Sequence, residues 1–341
     1  KDVTLYFSLE FISKEYITSL QKTLSDRKYY ISLDIISNLA KTGNWFTSLS
    51  KDHKILEDIL AENPNNNTLL SVDLGLYQNA GANIIQQLAY ALAHANEYLN
   101  HFGNALKKVE TPILFNISIG NNYFFEIAKL KALRLLFNSL ASEYNLSPNC
   151  HIYATPSKRN KTLYDYNTNM LRTTSECMSA VLGGADVVCN LPYDAIYHKD
   201  NEFGERISKN QLLILKHESY FDATNNPADG TYYIEVLTEE LGKKALELFK
   251  NIEANGGFLK QLKEGVIQKK IKESSQKEQD LFNKYELVLV GSNKYANTND
   301  KMKDDLELYP FLKQRTGKTL IEPIVTNRLS EKLEQKRLKT E

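Results

Sequence analysis

The sequence predicts an α/β protein built on a parallel sheet, and three observations carry that expectation. Short, near-continuous apolar runs rich in β-branched and aromatic residues recur along the chain. Between them lie segments whose apolar residues fall three or four positions apart, the period of a helix packed on one face. Strands that do not alternate are buried on both sides, as happens when helices cover both faces of a parallel sheet. No Gly-x-Gly-x-x-Gly follows the first run and no Walker-type loop occurs, which weighs against the nucleotide-binding open sheets. Periodicity alone leaves the choice between an open doubly wound sheet and a closed barrel undecided.

In order, Val3–Leu9, Tyr30–Ile36, Leu69–Gly75, Ile113–Ile119, His151–Ala154 and Asp186–Leu191 read as strands. One intervening helix aligns Ile84, Leu88, Leu92, Ala95 and Leu99, and the next aligns Phe124, Ala128, Ala132 and Leu135. Beyond Leu191 the pattern turns mainly helical. Residues 205–218 read as a helix, and a turn at 225–230 precedes the stretch Tyr232–Thr238. Helices 239–254 and 258–283 follow, the second strongly charged with an apolar stripe at Leu259, Leu262 and Val266. Leu287–Asn293 reads as one more short strand and loop, Asn297–Asp305 as a polar mobile segment, and the last fifteen residues as a solvated charged helix. Gly183–Gly184 and Gly256–Gly257 fit tight turns after helices. The boundary we draw gives a body at 1–285 and a C-terminal extension at 286–341.

The bulk numbers exclude more than they assign. Lysine plus arginine equal aspartate plus glutamate at 42 each, so nothing suggests capture of nucleic acid or an anionic membrane. No apolar run approaches the roughly 18 residues of a membrane span, and no secretory leader is recognisable. Three cysteines, Cys150, Cys177 and Cys189, are odd in number and lack metal spacing, which fits a reducing, cytoplasmic setting. The six histidines show no zinc pattern. Glu126, Lys129 and Arg134 read as structural ion pairs or solvated charges, Asp165 and Asp194 as capping residues, and Cys189 as packing rather than a nucleophile.

Five blocks in order carry a resemblance: residues 119–134, 169–186, 205–219, 226–235 and Gly256–Gly257. The chain resembles the barrel domain of the methylmalonyl-CoA mutase family, from about Leu69 to about Tyr295. Asp165–Arg172 and Ala180–Gly184 are similar to the small, non-catalytic subunit of the heterodimeric mutases. The resemblance implies a (β/α)8 TIM-type barrel with a C-terminal helical extension. Six strands are legible against the eight of a barrel, and the chain opens at Lys1 inside what reads as a strand, so the first strands are expected upstream.

The resemblance also implies a chemistry, carried elsewhere. In the catalytic large subunit a Gly-Tyr-His-Met-Gln-Glu-Ala-Gly segment places a tyrosine and a histidine beside the substrate thioester. Aligned with it here is Leu74–Gly81: Gln78 and Gly81 are retained, the histidine position is Leu76 and the tyrosine position Gly75. Leucine neither donates a hydrogen bond to a thioester oxygen nor moves a proton. An Arg-x-His-Ser segment that holds coenzyme A aligns with His151–Ala154, and a further histidine with Cys189. No Asp-x-His-x-x-Gly signature of the cobalamin domain occurs. We therefore expect no catalytic residue, with Gln78, Tyr77, Asn121, His151 and Cys189 as members of a vestigial pocket, and no cofactor bound by this chain. Adenosylcobalamin and the acyl-CoA would belong to the homologous large subunit, which isomerises methylmalonyl-CoA to succinyl-CoA and would hold this chain as a stabilising partner. The alternative is an autonomous or split acyl-CoA mutase whose site is completed by other segments.

Overall fold

The structure, a computed structural model, describes all residues except 1–2, 63–67, 108, 111 and 313–316. The reading of a strand at Lys1 itself lies outside the described residues. The chain runs β1 (Leu5–Ser8), α1 (Lys14–Thr23), β2 (Tyr29–Leu33), α2 (Ile35–Thr42), α3 (Leu49–Glu62), β3 (Thr68–Asp73), α4 (Leu74–Asn79), α5 (Ile84–Leu106), β4 (Ile113–Ile119) and α6 (Tyr123–Glu143). It continues through β5 (Cys150–Pro156), α7 (Thr168–Leu182), β6 (Val187–Val188), α8 (Glu202–His217), α9 (Tyr232–Ala254), α10 (Phe258–Lys263), α11 (Val266–Asn283) and α12 (Glu331–Leu338).

All six strands are parallel and lie in sequence order, β1 to β6. A doubly wound sheet reverses its strand order at a switch point; this sheet has none, so it winds one way, as a barrel does. Curvature follows from one contact. Tyr6 on β1 and His151 on β5 are hydrogen-bonded at 2.9 Å, although four strand spacings would hold them about 19 Å apart in a flat sheet. The sheet is therefore curled into a half-barrel of the (β/α)8 type. Ile31, Leu33, Phe115, Ile117 and Ile152 face outward and are buried under the helices. Tyr30, Ser32, Asn116, Tyr153 and Thr155 face the concave side and are half-buried.

The helices largely match the pattern in the sequence, with corrections. Asn83 and Gln86 form a reciprocal cap that starts α5. On α6, Ala128 and Ala132 are buried, but Phe124 and Leu135 are about half exposed; the covered arc runs through Leu130, Leu133 and Phe137 instead. Tyr232–Thr238 is the opening of α9. The segment 258–283 is two helices, split at Gly265, whose φ of 74° ends the first. That break turns Val266 outward and puts Ile267 and Ile271 in the core. Leu287–Asn293 is not a strand: among the described residues it forms one isolated bridge, Val290 with Lys294, and the Asn293 side chain closes the loop by bonding Phe282 O, Leu287 O and Leu289 N.

The C-terminal part is also more firmly held than its polarity suggests. Asp300 accepts from Asp165 N, Glu341 accepts from Met302 N and Lys303 N, and Met302 is buried. The final helix is not simply solvated. Glu334 is 1% exposed, 2.6 Å from the Arg328 guanidinium, and accepts from Leu163 N. Buried charge of this kind persists only when paired. Residues 320–329 are laid across the C-terminal ends of the strands by Ile321 N to Gly43 O, Ile324 N to Ala40 O, Asn327 N to Asn79 O and Leu329 N to Arg159 O.

Candidate functional site

Barrels place chemistry at the C-terminal ends of their strands. At the end of β3, Asp73 caps α4, its Oδ1 accepting from Leu76 N at 3.2 Å, and α4 carries four of the expected positions into the region. Gly75 and Leu76 line a cavity of about 1080 Å³ between the strand ends and residues 308–312 and 323–331. A Cβ on Gly75 would lie 2.7 Å from Ser118 Oγ and 2.9 Å from Asp73 Oδ1, so a tyrosine there would have to displace the Ser118 hydroxyl and the carboxylate that caps α4. Leu76 presents only hydrocarbon. Charge in this cavity comes from Asp73, Lys41, Lys158, Arg159, Arg328 and Glu331. Burial, then the charge of Asp34, pushes the Asp73 carboxyl up to about 6.

The remaining expected residues go to separate places. Tyr77 is fully buried and lines none of the described cavities; its hydroxyl is hydrogen-bonded to His94 Nδ1 at 2.9 Å. His94 Nε2 lies 3.1 Å from Asp34 Oδ1, off the hydrogen-bond axis, and Tyr98 OH donates to the same oxygen at 2.8 Å. Burial alone would raise the Asp34 carboxyl, but His94 and Ser37 bring it below its ordinary value. Gln78 and Asn121 share a second cavity on the other side of α4. Cys189 is exposed rather than packed, while Cys150 and Cys177 are the buried thiols.

His151 sits on the concave face. There Tyr6 stacks on Tyr30 and on His151 at centroid distances of 5.2 and 5.6 Å, and Tyr153 lies 5.4 Å from Tyr6. The space left among these rings is about 100 Å³. Burial holds His151 below its usual value and pushes Tyr6 up to about 12, with Tyr30 and Asp186 adding to the latter. Both shifts favour the neutral forms of His151 and Tyr6, and the rings pack along the axis of the half-barrel.

Several polar groups escaped the sequence reading. Arg159 is 6% exposed and its guanidinium bonds Glu278, Ser275 and Asn327, tying α11 and the C-terminal segment to the end of β5. Lys161 and Glu176 form a fully buried pair at 2.7 Å. Glu126 and Lys129 form another at 2.5 Å, in line with the structural role expected for them. Arg134 pairs with Asp186 at 2.7 Å. The one legible signal was His94, a polar residue on the otherwise apolar face of Ala91, Ala95 and Tyr98.

None of the six histidines lines the cavity at the strand ends, and among the described residues no group of three or more His, Cys, Asp or Glu could hold a metal ion. Among them, too, no helix is long and apolar enough to cross a membrane.

The sequence profile of methylmalonyl-CoA mutase matches residues 20–337, well beyond the motif blocks at both ends. The chain belongs to the methylmalonyl-CoA mutase family. It is 37% identical to the methylmalonyl-CoA mutase small subunit of Porphyromonas gingivalis over 80% of this chain and 46% of that protein. It is 32% identical to the methylmalonyl-CoA mutase of Rhizobium meliloti, over 82% of this chain and 40% of the relative. The small subunit of Streptomyces virginiae is 33% identical over 70% and 39%. Large subunits of the Porphyromonas and Streptomyces mutases match at 31% and 28%. The chain thus spans less than half the length of these mutases, and in both organisms it is nearer the small subunit than the large.

Proposed function

We propose that this chain serves in a small, catalytically silent methylmalonyl-CoA mutase subunit, docking on the homologous large subunit and stabilising it. The observation that carries the reading is the pair Gly75 and Leu76. They line the cavity where a barrel would do chemistry, and a side chain on the first would displace the Ser118 hydroxyl and the Asp73 carboxylate. The aromatic packing of Tyr6, Tyr30, His151 and Tyr153 along the barrel axis supports it further. So does the greater likeness to the small subunits in two organisms that also possess large ones. On this reading the isomerisation of methylmalonyl-CoA to succinyl-CoA, and the adenosylcobalamin it uses, belong to the large subunit. A barrel that has lost its chemistry still presents its outer surface, and an interface needs nothing more. Three unpaired cysteines agree with residence in the cytoplasm.

Sizing chromatography of the chain mixed with the large subunit tests this. The expected result is a stable one-to-one complex, with no turnover by the chain alone. No complex, together with binding of a coenzyme A thioester by the isolated chain, would instead favour an autonomous or split mutase. A second prediction concerns Leu76→His, which restores the family residue alone. Isomerase activity stays at background, because Gly75 and the concave-face rings are unchanged; a measurable rate from that one substitution overturns the silent reading.

A further inference from the structure

The second cavity, about 480 Å³, lies between the start of α5, the β4–α6 loop, α9 and α11, within the range of small-molecule sites. Its walls are apolar: Ile84, Ile85, Phe125, Leu241 and Leu281. Two polar side chains that line it, Gln78 and Glu126, are more than nine-tenths buried. Their orientation is fixed by Lys129, which donates to Gln78 Oε1 at 3.0 Å and pairs with Glu126 Oε2 at 2.5 Å. An ammonium only donates, so the amide oxygen must face it and the amide nitrogen must face away. Gln78 Nε2 and Glu126 Oε1 then converge on Gly120, where an added Cβ would lie 2.8 and 3.0 Å from them. Neither atom has a hydrogen bond among the described residues. Lys129 offsets Glu126 and Arg159 bonds Glu278 at 2.7 Å, which leaves the exposed Lys277 as the remaining charge on the lining.

A donor and an acceptor side by side, on buried side chains in a largely apolar pocket, match one kind of ligand edge. We propose that this cavity binds a small neutral molecule with an apolar body and a primary-amide or lactam edge. Its carbonyl accepts from Gln78 Nε2 and its N–H donates to Glu126 Oε1. A hydrocarbon of the same shape would cover both groups without meeting either, which is costly and is what discriminates an amide from it. The carboxylate of Glu126 likewise rejects a ligand carboxylate.

Benzamide is the probe, titrated into the full chain and followed by NMR, with toluene and benzoate as controls. Benzamide binds with a Kd on the order of 1 mM, the efficiency expected of so small a ligand. Toluene and benzoate bind at least about tenfold more weakly, as the loss of one such hydrogen bond implies. Gly120→Ala, whose Cβ enters the cradle at an ordinary backbone conformation, weakens benzamide at least about tenfold. Leu281→Trp fills the cavity from the exposed side of α11, leaves both ion pairs intact, and does the same. It decides the matter should the alanine variant fail to fold. No benzamide binding to the unaltered chain, equal binding by a folded Leu281→Trp variant, or equal affinity for either control would overturn the proposal.

Discussion

Asp73 carries a pH dependence whose sign follows from its surroundings. Burial and the nearby Asp34 raise its carboxyl from 3.8 to about 6, so the folded state holds this proton more tightly than the unfolded chain does. The native state is therefore penalised as pH climbs from about 4 to about 6, and by a constant amount above that. Asp73→Asn keeps the oxygen that caps α4. It should stabilise the protein by on the order of 2 kcal/mol at pH 7.5 and by almost nothing below pH 4; urea unfolding at the two pH values checks this. A flat difference across pH would mean that the carboxyl is not desolvated. Lys161 and Glu176 make a contrasting case, two charges at 1% exposure bonded to each other and to Asn160. Lys161→Met alone should cost about 3 kcal/mol by stranding a buried carboxylate, and adding Glu176→Leu should recover most of it. A double-mutant cycle by denaturant unfolding reads the coupling directly. The sequence shows Leu76 and Gly75 plainly, whereas nothing in the spacing of Lys161 and Glu176 announces that they meet.

Elements were legible where one physical signal dominated. The strands stand out because their short apolar, β-branched runs had no competing helical period, although β2 and β5 alternate in burial and β4 is the one covered along nearly its whole length. The start of α5 is equally local: Asn83 and Gln86 exchange side-chain bonds with each other's backbone. Asn83→Ala should lower stability by about 1 kcal/mol without shifting the pH profile, measured by thermal melting. Leu287–Asn293 misleads because an apolar run has strand character only if a neighbouring strand supplies hydrogen bonds. Here an asparagine side chain supplies them instead. The single helix expected over 258–283 fails for a different reason. Gly265 adopts a left-handed conformation, and the helix on its far side packs with a new rotational phase.

At the scale of the whole molecule, the C-terminal segment and the half-barrel depend on each other. Residues 320–329 bond backbone groups of α2, α4 and the loop after β5, and Arg159 receives part of its coordination from Asn327. Glu334 satisfies Leu163 N and pairs with Arg328. Deleting residues 306–341 should therefore uncover Leu163 and Ile196 and strip partners from Arg159 and Lys161. The expected outcome is a fall in Tm of about 10 °C or more, or aggregation of the expressed chain; an unchanged Tm would show a detachable appendage. The sequence by itself determined the alternation of strands and helices, the family, and the glycine and leucine at 75 and 76, because each is written in adjacent residues or a fixed spacing. Only the tertiary structure decided that the sheet curls, that Tyr6 reaches His151 across it, that Tyr77 turns to His94, and that Gln78 and Glu126 converge on Gly120. Those contacts join residues tens to more than a hundred positions apart. Their geometry is set by the twist and closure of the whole sheet, which no local period encodes.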